Sequence, residues 1–549
     1  MERIWQPQYQ DGVPFEIDID GYHSIVDFLD RASAERPDQT AFVCVGSSLS
    51  FRELDTLSRA FASYLLNVEG LSAGDRVAIM LPNLLHYPIV VFGALRAGLT
   101  LVNLNPNYTT REILFHMQDS GASLLVVSEK SIAAVPTEID GKARKIVVVA
   151  AGEMQSFREL AKGVEAPDID TKASPVAAGE RRFIDALTIG RRTPLSVPTV
   201  TLDMMAFLQY TGGTTGKQKA AVLTHRNFVA NIQMMSDWFR AGFGKADECL
   251  VTILPMYHIM GLSMGCIFSV AMVRKNVLIP NPRDLEHFVS ELRDHRFTFL
   301  LGVNTLFNAL LEYEPFRNQD LSCLRQTTGA GAQVEPEVAK RWRELTGCRL
   351  QGAYGLTEAS PGVCAMPLHS AGHEGSVGLP FASTDLVLLD DEGNEVPAGV
   401  AGEIAVKGPQ VMSRYWNRPE ETQAAFTPDG FLRTGDIGMV DPDGFLTIID
   451  RKKDVVLVSG FNVYPNEIES VVSSHQGVLE CACIGVPDEK TGEALKVFVV
   501  ARDRMLTEDA LQQFSREFLT AYKVPRQFEF IDALPKSPVG KVLRRALRA

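Results

Sequence analysis

Short apolar runs alternate with amphipathic stretches through the first 150 residues, and this alternation limits the fold of the chain more than any other feature. Ser50 and Glu53 form a capping-box pattern that opens a helix with one apolar face. Residues 77–81, 123–128 and 145–150 are short buried-strand patterns, and a helix is expected before each of the last two. Strands that alternate with helices predict parallel sheets covered by helices, an α/β fold.

The chain is too long for one ordinary core, because it has 549 residues. Residues 152–200 are polar and predict a surface excursion. The charged cluster DRKKD at 450–454 lies between two apolar runs and predicts a solvated hinge. We therefore expect a large N-terminal domain of helix-covered sheets at 1–449, a hinge at 450–454, and a small, mobile α+β domain at 455–549.

Composition excludes several classes of protein. The net charge of −13 argues against nucleic acid as a partner. Eight cysteines without a metal-ligand spacing predict reduced structural thiols, with Cys481 and Cys483 on one face of a strand. The N-terminus lacks a secretory signal pattern, and the uncharged segment 259–273 is too short to span a membrane, so we expect a buried helix there and a cytoplasmic protein.

A phosphate-binding loop is predicted at YTGGTTGKQK, residues 210–219. Glycines let the backbone approach an anion, while N–H groups, hydroxyls and lysine donate to its oxygens. The spacing is not that of a Walker A loop. A plain surface turn is the alternative interpretation of this segment by itself. The candidate phosphate ligands are Thr211, Gly212, Gly213, Thr214, Thr215, Gly216 and Lys219.

Five further motifs follow this loop along the chain, and each places a side chain or a tight turn where chemistry is plausible. A structural role would explain any of them singly; their joint order favours one site. The residues are His258 in PMYH; Gly331 and Ala332 in GAGA; Ala353, Tyr354, Thr357 and Glu358 in AYGLTE; Asp436 in DGFLRTGDI; and Lys541 in PKSPVGK.

This order of motifs resembles the adenylate-forming superfamily of acyl-CoA synthetases, peptide synthetase adenylation domains and firefly luciferase. The resemblance covers the chain from about residue 20 to its end. Within the superfamily the chain is most similar to bacterial long-chain fatty acid–CoA ligases, on Gly213 in YTGGTTG, on GVNTLFNALL, and on DGFLRTGDIGMVDPDGFLTIIDRKK. Gln218 replaces the proline that is common before the loop lysine.

The resemblance implies a role for each residue. The loop would hold the ATP triphosphate, Gly331, Ala332, Ala353 and Tyr354 would line the adenine pocket, and Thr357 would touch the α-phosphate. Glu358 would hold Mg²⁺, which prefers oxygen ligands. The remaining implied roles are ribose binding by Asp436 and Arg451, closure of the acyl end by His258, charge stabilisation by Lys541, a pivot at Lys453, and room for the pantetheine arm of CoA at Gly460.

The implied activity is a two-step ligation. A fatty carboxylate attacks the α-phosphate of ATP to give acyl-AMP and pyrophosphate, and the CoA thiol then displaces AMP. The C-terminal domain would rotate about the hinge between the steps. Residues 259–266 and 303–307 are candidate walls for the acyl chain, although core packing explains either segment equally well.

Other functions share most of these motifs. A coumarate-type aryl-CoA ligase would differ only in the acid pocket. A fatty acyl-AMP ligase loads a carrier protein, and such enzymes commonly carry an insertion near the hinge that is not seen between Asp436 and Asp450. A regulatory nucleotide-binding module would have little reason to keep Lys219, Glu358 and Lys541 together. We further expect a homodimer and transient contact with the inner membrane, to which the basic C-terminal tail is a candidate contributor.

Overall fold

The structure of the protein is a computed structural model that describes residues 3–139, 142–143, 145–162, 179–211, 218–240, 248–331, 334–368, 373, 375–488, 490–503, 505–537 and 540–548. Three extended sheets and a two-stranded one form a large N-terminal domain, and one further sheet forms a smaller C-terminal domain. This arrangement confirms the predicted α/β class with a large and a small domain.

Most strands are short, as is usual for strands buried within a sheet. In chain order they are β1 (Thr40–Cys44), β2 (Ser47–Ser50), β3 (Arg76–Met80), β4 (Thr100–Asn103), β5 (Leu124–Ser128), β6 (Glu138–Ile139), β7 (Lys142–Ala143), β8 (Ile146–Val149), β9 (Glu180–Arg182), β10 (Met205–Thr211), β11 (Lys219–Thr224), β12 (Cys249–Thr252), β13 (Lys275–Leu278), β14 (Phe299–Gly302), β15 (Gln326–Gly329), β16 (Leu350–Gly355), β17 (Gly362–Ala365), β18 (Leu379–Pro380), β19 (Asp385–Leu389), β20 (Gly402–Lys407), β21 (Leu432–Val440), β22 (Leu446–Arg451), β23 (Val456–Val458), β24 (Phe461–Val463), β25 (Val478–Asp488), β26 (Gly492–Ala501) and β27 (Gln527–Phe530).

Amphipathic helices connect many of these strands. They are α1 (Val26–Glu35), α2 (Phe51–Asn67), α3 (His86–Arg96), α4 (Thr110–Ser120), α5 (Phe157–Lys162), α6 (Phe183–Arg192), α7 (His225–Phe239), α8 (Ser269–Ala271), α9 (Leu285–Asp294), α10 (Asn304–Glu312), α11 (Glu314–Arg317), α12 (Pro336–Thr346), α13 (Pro419–Ala425), α14 (Pro465–Ser473) and α15 (Glu508–Phe518). The predicted capping box is present, since Ser50 accepts from the backbone N–H of Glu53 and Glu53 accepts from that of Ser50.

The first large sheet has the strand order β11-β10-β4-β3-β5-β8-β9 and is parallel except for the β10–β11 pair. Val77 and Ile79 of β3 point into one apolar cluster, and Ala78 and Met80 into another. A strand that is buried on both faces has a continuous apolar sequence. The predicted strands at 77–81, 123–128 and 145–150 are therefore confirmed as β3, β5 and β8.

The second large sheet has the order β18-β17-β16-β15-β14-β12-β13-β1-β2, with a parallel centre and antiparallel edges. Its neighbouring strands β14, β15 and β16 end at Gly302, Gly329 and Gly355. Ligands in open α/β sheets bind beyond the carboxyl ends of the strands. A four-stranded antiparallel sheet, β19-β20-β21-β22, completes the large domain and leads into the C-terminal domain.

The C-terminal domain is a five-stranded sheet, β24-β23-β26-β25 with β27 alongside β26, covered by α14 and α15. Helix α14 begins at Pro465, and α15 begins after the N-cap Thr507, whose side chain accepts from the backbone N–H of Ala510. Cys481 and Cys483 lie on β25 and pack against the same apolar cluster, which confirms the predicted strand face.

The prediction of a surface excursion at 152–200 is wrong for part of that range. Helix α6 packs against α2 so closely that a Cβ on Gly190 would lie 2.0 Å from the carbonyl oxygen of Ala60. Phe183 and Leu187 of α6 are buried. The apolar face of α6 is short and is flanked by arginines. The average composition of residues 152–200 is therefore polar although this helix is partly buried. The described residues between β5 and β8 contain no α-helix, and a 3₁₀ helix at Glu129–Ala134 stands where an α-helix was expected.

The charged cluster at 450–454 is not solvated throughout. Lys453 is exposed in the connection, but Asp450 and Asp454 are 1% and 7% exposed. Both carboxylates form ion pairs with Arg544. The basic C-terminal tail is thus folded onto acidic partners, and Lys536 and Arg548 are likewise paired, with Glu480 and Asp454. Buried carboxylates need cations beside them, which accounts for these pairs.

The uncharged segment at 259–273 is a buried helical segment, as predicted. It forms a π-helix at Gly261–Phe268 that continues into α8. A Cβ on Gly261 would lie 2.2 Å from the carbonyl oxygen of Pro255, so this position requires glycine. Within the described ranges, no helix combines the length and the apolar character needed to cross a membrane.

Buried His225 makes the stability of the fold sensitive to acid. Its Nδ1 accepts from the backbone N–H of Ile25 at 3.2 Å, and burial lowers its pKa to about 4 from 6.5. His225 binds a proton more weakly in the folded protein than in the unfolded chain. The free energy of unfolding therefore keeps this contribution above pH 6.5 and loses it as the pH falls from 6.5 towards 4. The shift is worth roughly 3 kcal/mol at full protonation of the unfolded chain.

We expect His225→Gln to flatten the dependence of the apparent Tm on pH between 7 and 4.5, since glutamine keeps an acceptor without titrating. His23→Gln is the matched control, because the His23 side chain is 84% exposed. Thermal unfolding followed by circular dichroism at several pH values measures the effect. An equal slope in wild type and His225→Gln would contradict the prediction.

Candidate active site

The site lies beyond the carboxyl ends of β14, β15 and β16, where small residues bring backbone close to neighbouring groups. Gly331 follows β15 with a φ of +83°, which favours glycine. A Cβ there would lie 3.1 Å from Cε of Lys541. Ala353 and Tyr354 lie on the neighbouring strand β16. The predicted adenine-pocket residues Gly331, Ala353 and Tyr354 are therefore on adjacent segments, whereas Ala332 lies outside the described residues.

Asp436 is held by two of the residues predicted to act with it. The Tyr354 hydroxyl donates to Asp436 Oδ2 at 2.7 Å, and Arg451 Nε lies 3.1 Å from Oδ1. Strands β21 and β22 place Asp436 directly opposite Arg451. Burial raises the pKa of Tyr354, and Asp436 raises it further, so the phenol remains a donor. A carboxylate has about four lone-pair positions, which leaves capacity for two hydroxyl donors such as those of a ribose.

Glu358 and Lys219 meet at one aromatic ring. Thr357 and Glu358 lie on a short 3₁₀ turn after β16. The Tyr415 hydroxyl donates to Glu358 Oε1 at 2.7 Å, and Lys219 Nζ lies 4.0 Å from the centroid of the Tyr415 ring. A cation over a tyrosine face is attracted to it. The contact fixes the loop lysine beside the carboxylate.

Tyr415 is a site residue that the sequence analysis missed. It is 5% exposed and is joined to β11 by an isolated bridge to Ala221. Burial raises its pKa, with Glu358 as a further cause, so the ring is a hydrogen-bond donor and not an anion. No pattern near Tyr415 in the chain signals the role, because its partner Glu358 is 57 positions away.

The phosphate-loop segment connects the antiparallel strands β10 and β11, whose last pair is Thr211 with Lys219. Thr211 Oγ1 lies 3.4 Å from the carbonyl oxygen of Lys219. The predicted ligands Gly212, Gly213, Thr214, Thr215 and Gly216 lie outside the described residues. The two ends of the loop are thus fixed by strand pairing beside Tyr415.

Lys541 enters the site from the C-terminal domain. The backbone N–H of Ser537 donates to the carbonyl oxygen of Lys541 at 2.7 Å, which closes a tight turn. A Cβ on Gly540 would lie 3.0 Å from Thr305 Oγ1 of the large domain, so the turn presses against α10. Burial, followed by repulsion from Arg451, lowers the pKa of Lys541 to about 8, although Asp436 opposes the shift. The ammonium form therefore predominates at neutral pH, beside Gly331 and within electrostatic reach of Asp436.

His258 lies at the start of the helical turn that leads into the π-helix. Its backbone N–H donates to the carbonyl oxygen of Pro255 at 2.9 Å. Burial lowers its pKa to about 4, and the charge of Lys541 lowers it further, which links His258 electrostatically to the site. The imidazole is neutral at neutral pH and can shape the site without adding charge.

Gly460 is the predicted residue that the structure does not bring to the other site residues. It lies at the turn of the β23–β24 hairpin with a φ of +84°. A Cβ on it would meet no heavy atom within 4 Å. The flanking Leu457 and Phe461 are 52% and 57% exposed. In this arrangement of the two domains, Lys541 and not Gly460 occupies the site.

The candidate acyl walls are tightly packed. A cavity of about 10 Å³ lies between the π-helix and strands β12 and β14, with Gly261, Met264 and Gly265 among its lining residues. This volume is close to that of one water-sized sphere. In the second candidate segment, Phe307 packs edge-on against Trp342. Both segments contribute to buried apolar clusters, Ile259 to one and Phe307 to another.

Comparisons with known proteins agree with this arrangement. Residues 29–416 match the AMP-binding enzyme family, and residues 467–541 match the AMP-binding enzyme C-terminal domain. The long-chain-fatty-acid–CoA ligase of Salmonella typhimurium is 46% identical, with 100% of this chain and 98% of the relative covered. Feruloyl-CoA synthase of an Amycolatopsis species is 33% identical, with 94% and 97% covered.

A solved structure gives the same picture of the fold. The anthranilate CoA ligase AuaEII, crystallised in complex with anthranoyl-AMP, superimposes with a TM-score of 0.85 at 25% identity, covering 97% of this chain and 98% of that one. The match extends over both domains. The chain therefore belongs to the AMP-binding enzyme family, and it is an adenylate-forming acid–thiol ligase.

Proposed function

We propose that this protein joins long-chain fatty acids to CoA, with ATP converted to AMP and pyrophosphate. The observation that carries the proposal is the full-length identity of 46% to a ligase named for long-chain fatty acids, against 33% to a feruloyl-CoA synthase. The two relatives differ in the acid that their names give. The higher identity favours an alkyl chain as the acid.

In the first half-reaction a carboxylate oxygen forms a bond to the α-phosphorus, and the bond to pyrophosphate breaks. Negative charge concentrates on both reacting groups, so a fixed cation lowers the barrier most. Lys541 supplies that cation between Gly331 and the Asp436–Arg451 pair, which would bind the ribose. Neutral His258 would close the carboxylate end, and Lys219, held over Tyr415, would face the distal phosphates.

Glu358 fits a magnesium ion. It is a hard oxygen ligand beside Lys219, with Oε1 occupied by the Tyr415 hydroxyl. Mg²⁺ is commonly bound by one or two carboxylates together with substrate phosphates. When bound, it would neutralise charge on the triphosphate. Tyr415 would orient Glu358 for this purpose, and Thr357, next to it on the same turn, would donate to the α-phosphate.

In the second half-reaction the CoA sulfur attacks the acyl carbon and AMP leaves. The exposed connection at Lys453 would serve as a pivot within the hinge at 450–454, which separates domains at 1–449 and 455–549. Rotation would withdraw Lys541 and bring the β23–β24 hairpin to the site. Gly460 would then leave space for the slender pantetheine arm.

A competition assay tests the proposed function. Purified protein is incubated with ATP, Mg²⁺, CoA and an equimolar set of C6 to C18 fatty acids and cinnamate-type acids, and products are identified by mass spectrometry. We expect fatty acyl-CoA with stoichiometric AMP. Because each buried CH₂ contributes about 0.8 kcal/mol, the distribution of products reports the depth of the acyl tunnel. Aryl-CoA as the main product would overturn the proposal.

A carrier-loading fatty acyl-AMP ligase is the second candidate, and acyl-AMP without thioester would favour it. The compact β21–β22 connection argues against it, since the backbone N–H of Asp441 donates to the carbonyl oxygen of Phe445 at 3.0 Å in a tight turn with no inserted segment.

We also expect transient contact with the membrane that holds the substrate, and a homodimer. The ion-paired tail is not a good candidate for the membrane contact.

A further inference from the structure

Arg544 links the two domains through a buried group of carboxylates. Its Nη1 lies 3.2 Å from Asp450 Oδ1 and 3.6 Å from Asp454 Oδ2. Its Nε and Nη2 donate to the two oxygens of Glu469 at 3.1 and 2.8 Å, and Nη2 also donates to Asn466 Oδ1. The Arg544 side chain is 15% exposed. One guanidinium thus serves four partners in a setting with little water.

Asp450, the first residue of the predicted hinge, is the partner on the large-domain side of Lys453. It lies on β22, opposite Ile437 of β21, in the same ladder that places Asp436 opposite Arg451. Its carboxylate also accepts from the backbone N–H groups of Arg451 and Asn466, both at 2.8 Å. One carboxylate is therefore shared between the strand pair that carries the predicted ribose site and helix α14 of the C-terminal domain.

Arg544 is also close to Lys541 along the chain. The backbone N–H of Leu543 donates to the carbonyl oxygen of Pro535 at 2.8 Å, and Lys536 pairs with Val542 in an isolated bridge. The Lys541 turn thus lies within one small hairpin, and Arg544 follows directly after it as the first residue of a 3₁₀ helix. Because Arg544 is three residues after Lys541, its contact with Asp450 also constrains the position of Lys541 relative to the Asp436–Arg451 pair.

We propose that Arg544 is a positioning residue for the first half-reaction: its bonds to Asp450 hold the C-terminal domain in the orientation that places Lys541 in the site. The proposal rests on the two-step function proposed above. The pair with Asp450 joins residues on opposite sides of the exposed connection at Lys453, so rotation about that connection must break it. The pairs with Glu469 and Asp454 lie on the C-terminal side and can persist.

Charge explains why this contact is specific to one orientation. Burial raises the pKa of both Asp450 and Glu469, and the positive charge of Arg544 opposes both shifts. Without Arg544, buried carboxylates would face one another unpaired, which is unfavourable. When Asp450 separates from Arg544, Arg451 and water are the groups left to stabilise it. The first orientation is therefore favoured until substrate binding stabilises the second orientation more strongly.

The test separates the two half-reactions. We expect Arg544→Gln to lower acid-dependent pyrophosphate exchange by about 10- to 100-fold, because a displacement near 1 Å at a reacting group costs about that much. Conversion of supplied acyl-AMP and CoA to acyl-CoA should change by less than about twofold, since Lys541 has left the site in that step. Arg544→Lys, which keeps the charge, should recover part of the exchange rate.

The matched control is Arg526→Gln, which removes an exposed ion pair with Asp488 at 2.7 Å within the C-terminal domain. It should leave both half-reactions unchanged. A purely structural role for Arg544 would lower both half-reactions together and would overturn the proposal, as would an unchanged exchange rate. Should Arg544→Gln fail to fold, Asp450→Asn replaces it, because asparagine keeps an acceptor for the Asn466 N–H without the charge.

A second readout needs no activity at all. Trypsin cleaves after Arg451, Lys452 and Lys453, which are exposed in the connection between the domains. We expect faster cleavage there in Arg544→Gln than in wild type or Arg526→Gln, since the domains separate more often. Equal cleavage rates would overturn the proposal. If wild-type protein makes no acyl-CoA, the proposed function fails while this comparison still decides the role of Arg544.

Discussion

Lys541→Ala is expected to lose acyl-adenylate formation by about 10²- to 10³-fold while still converting supplied acyl-AMP and CoA to thioester. The physical reason is that removing a fixed donor from a developing oxyanion costs about that much in rate. Lys541 lies against Gly331 in the orientation described here, whereas a Cβ on Gly460 would meet no heavy atom within 4 Å. Pyrophosphate exchange measures the first half-reaction, and acyl-CoA formation from synthetic acyl-AMP measures the second.

The pH profile provides the control. Because the pKa of Lys541 is lowered to about 8, the ammonium form is present below that pH and is lost as the pH rises through it. Exchange by wild type should therefore decline above about pH 8. Lys541→Arg, which stays charged in this range, should be slower but should lack the decline. Equal loss of both half-reactions in Lys541→Ala would contradict a role confined to the first step.

The sequence predicted the site residues that sit inside short, chemically dense motifs. Tyr354, Asp436 and Arg451 form one group joined by a hydrogen bond and an ion pair, although Tyr354 and Asp436 are 82 positions apart. Tyr354 and Asp436 stand in glycine-containing motifs, whereas Arg451 was predicted from the resemblance. Lys541 was placed in the same site on resemblance, and its contact with Gly331 is consistent with that.

What the sequence could not predict depends on distant pairing. Tyr415 reaches Glu358 and Lys219 from a segment with no motif of its own. The cluster at 450–454 looked solvated because its charges are dense, yet Asp450 is buried against Arg544, 94 positions away. A local pattern reports charge, but burial of that charge depends on which cation the fold brings to it.

The same limit applies to the acyl pocket. Residues 259–266 are apolar and small in the sequence, and they pack as a π-helix with a cavity of only about 10 Å³ beside it. Apolar composition fits a wall of a tunnel and a core helix equally well. Which of the two roles these residues have depends on packing rather than on sequence pattern.

Gly460→Leu is expected to spare adenylation and to lower thioester formation by on the order of 100-fold, about 2.7 kcal/mol in barrier. In the present orientation a Cβ at Gly460 meets no heavy atom within 4 Å, and the flanking Leu457 and Phe461 are exposed, so we expect no steric effect on the first half-reaction. After rotation, the proposed path of the pantetheine arm passes this backbone, where a bulky side chain would fill the space that glycine leaves open. The two half-reaction assays applied to Lys541→Ala measure the split.

The control for Gly460→Leu must separate bulk from backbone strain. Gly460 has a φ of +84°, so every other residue there is strained, alanine included. Gly460→Ala carries that strain with little bulk and should retain most thioester formation, whereas strain alone would slow both variants alike. If Gly460→Leu loses both half-reactions equally, the proposed role of the β23–β24 hairpin in the second step is wrong. Loss of thioester formation only, set beside loss of adenylation only in Lys541→Ala, would mean that one active site uses two faces of the C-terminal domain in turn.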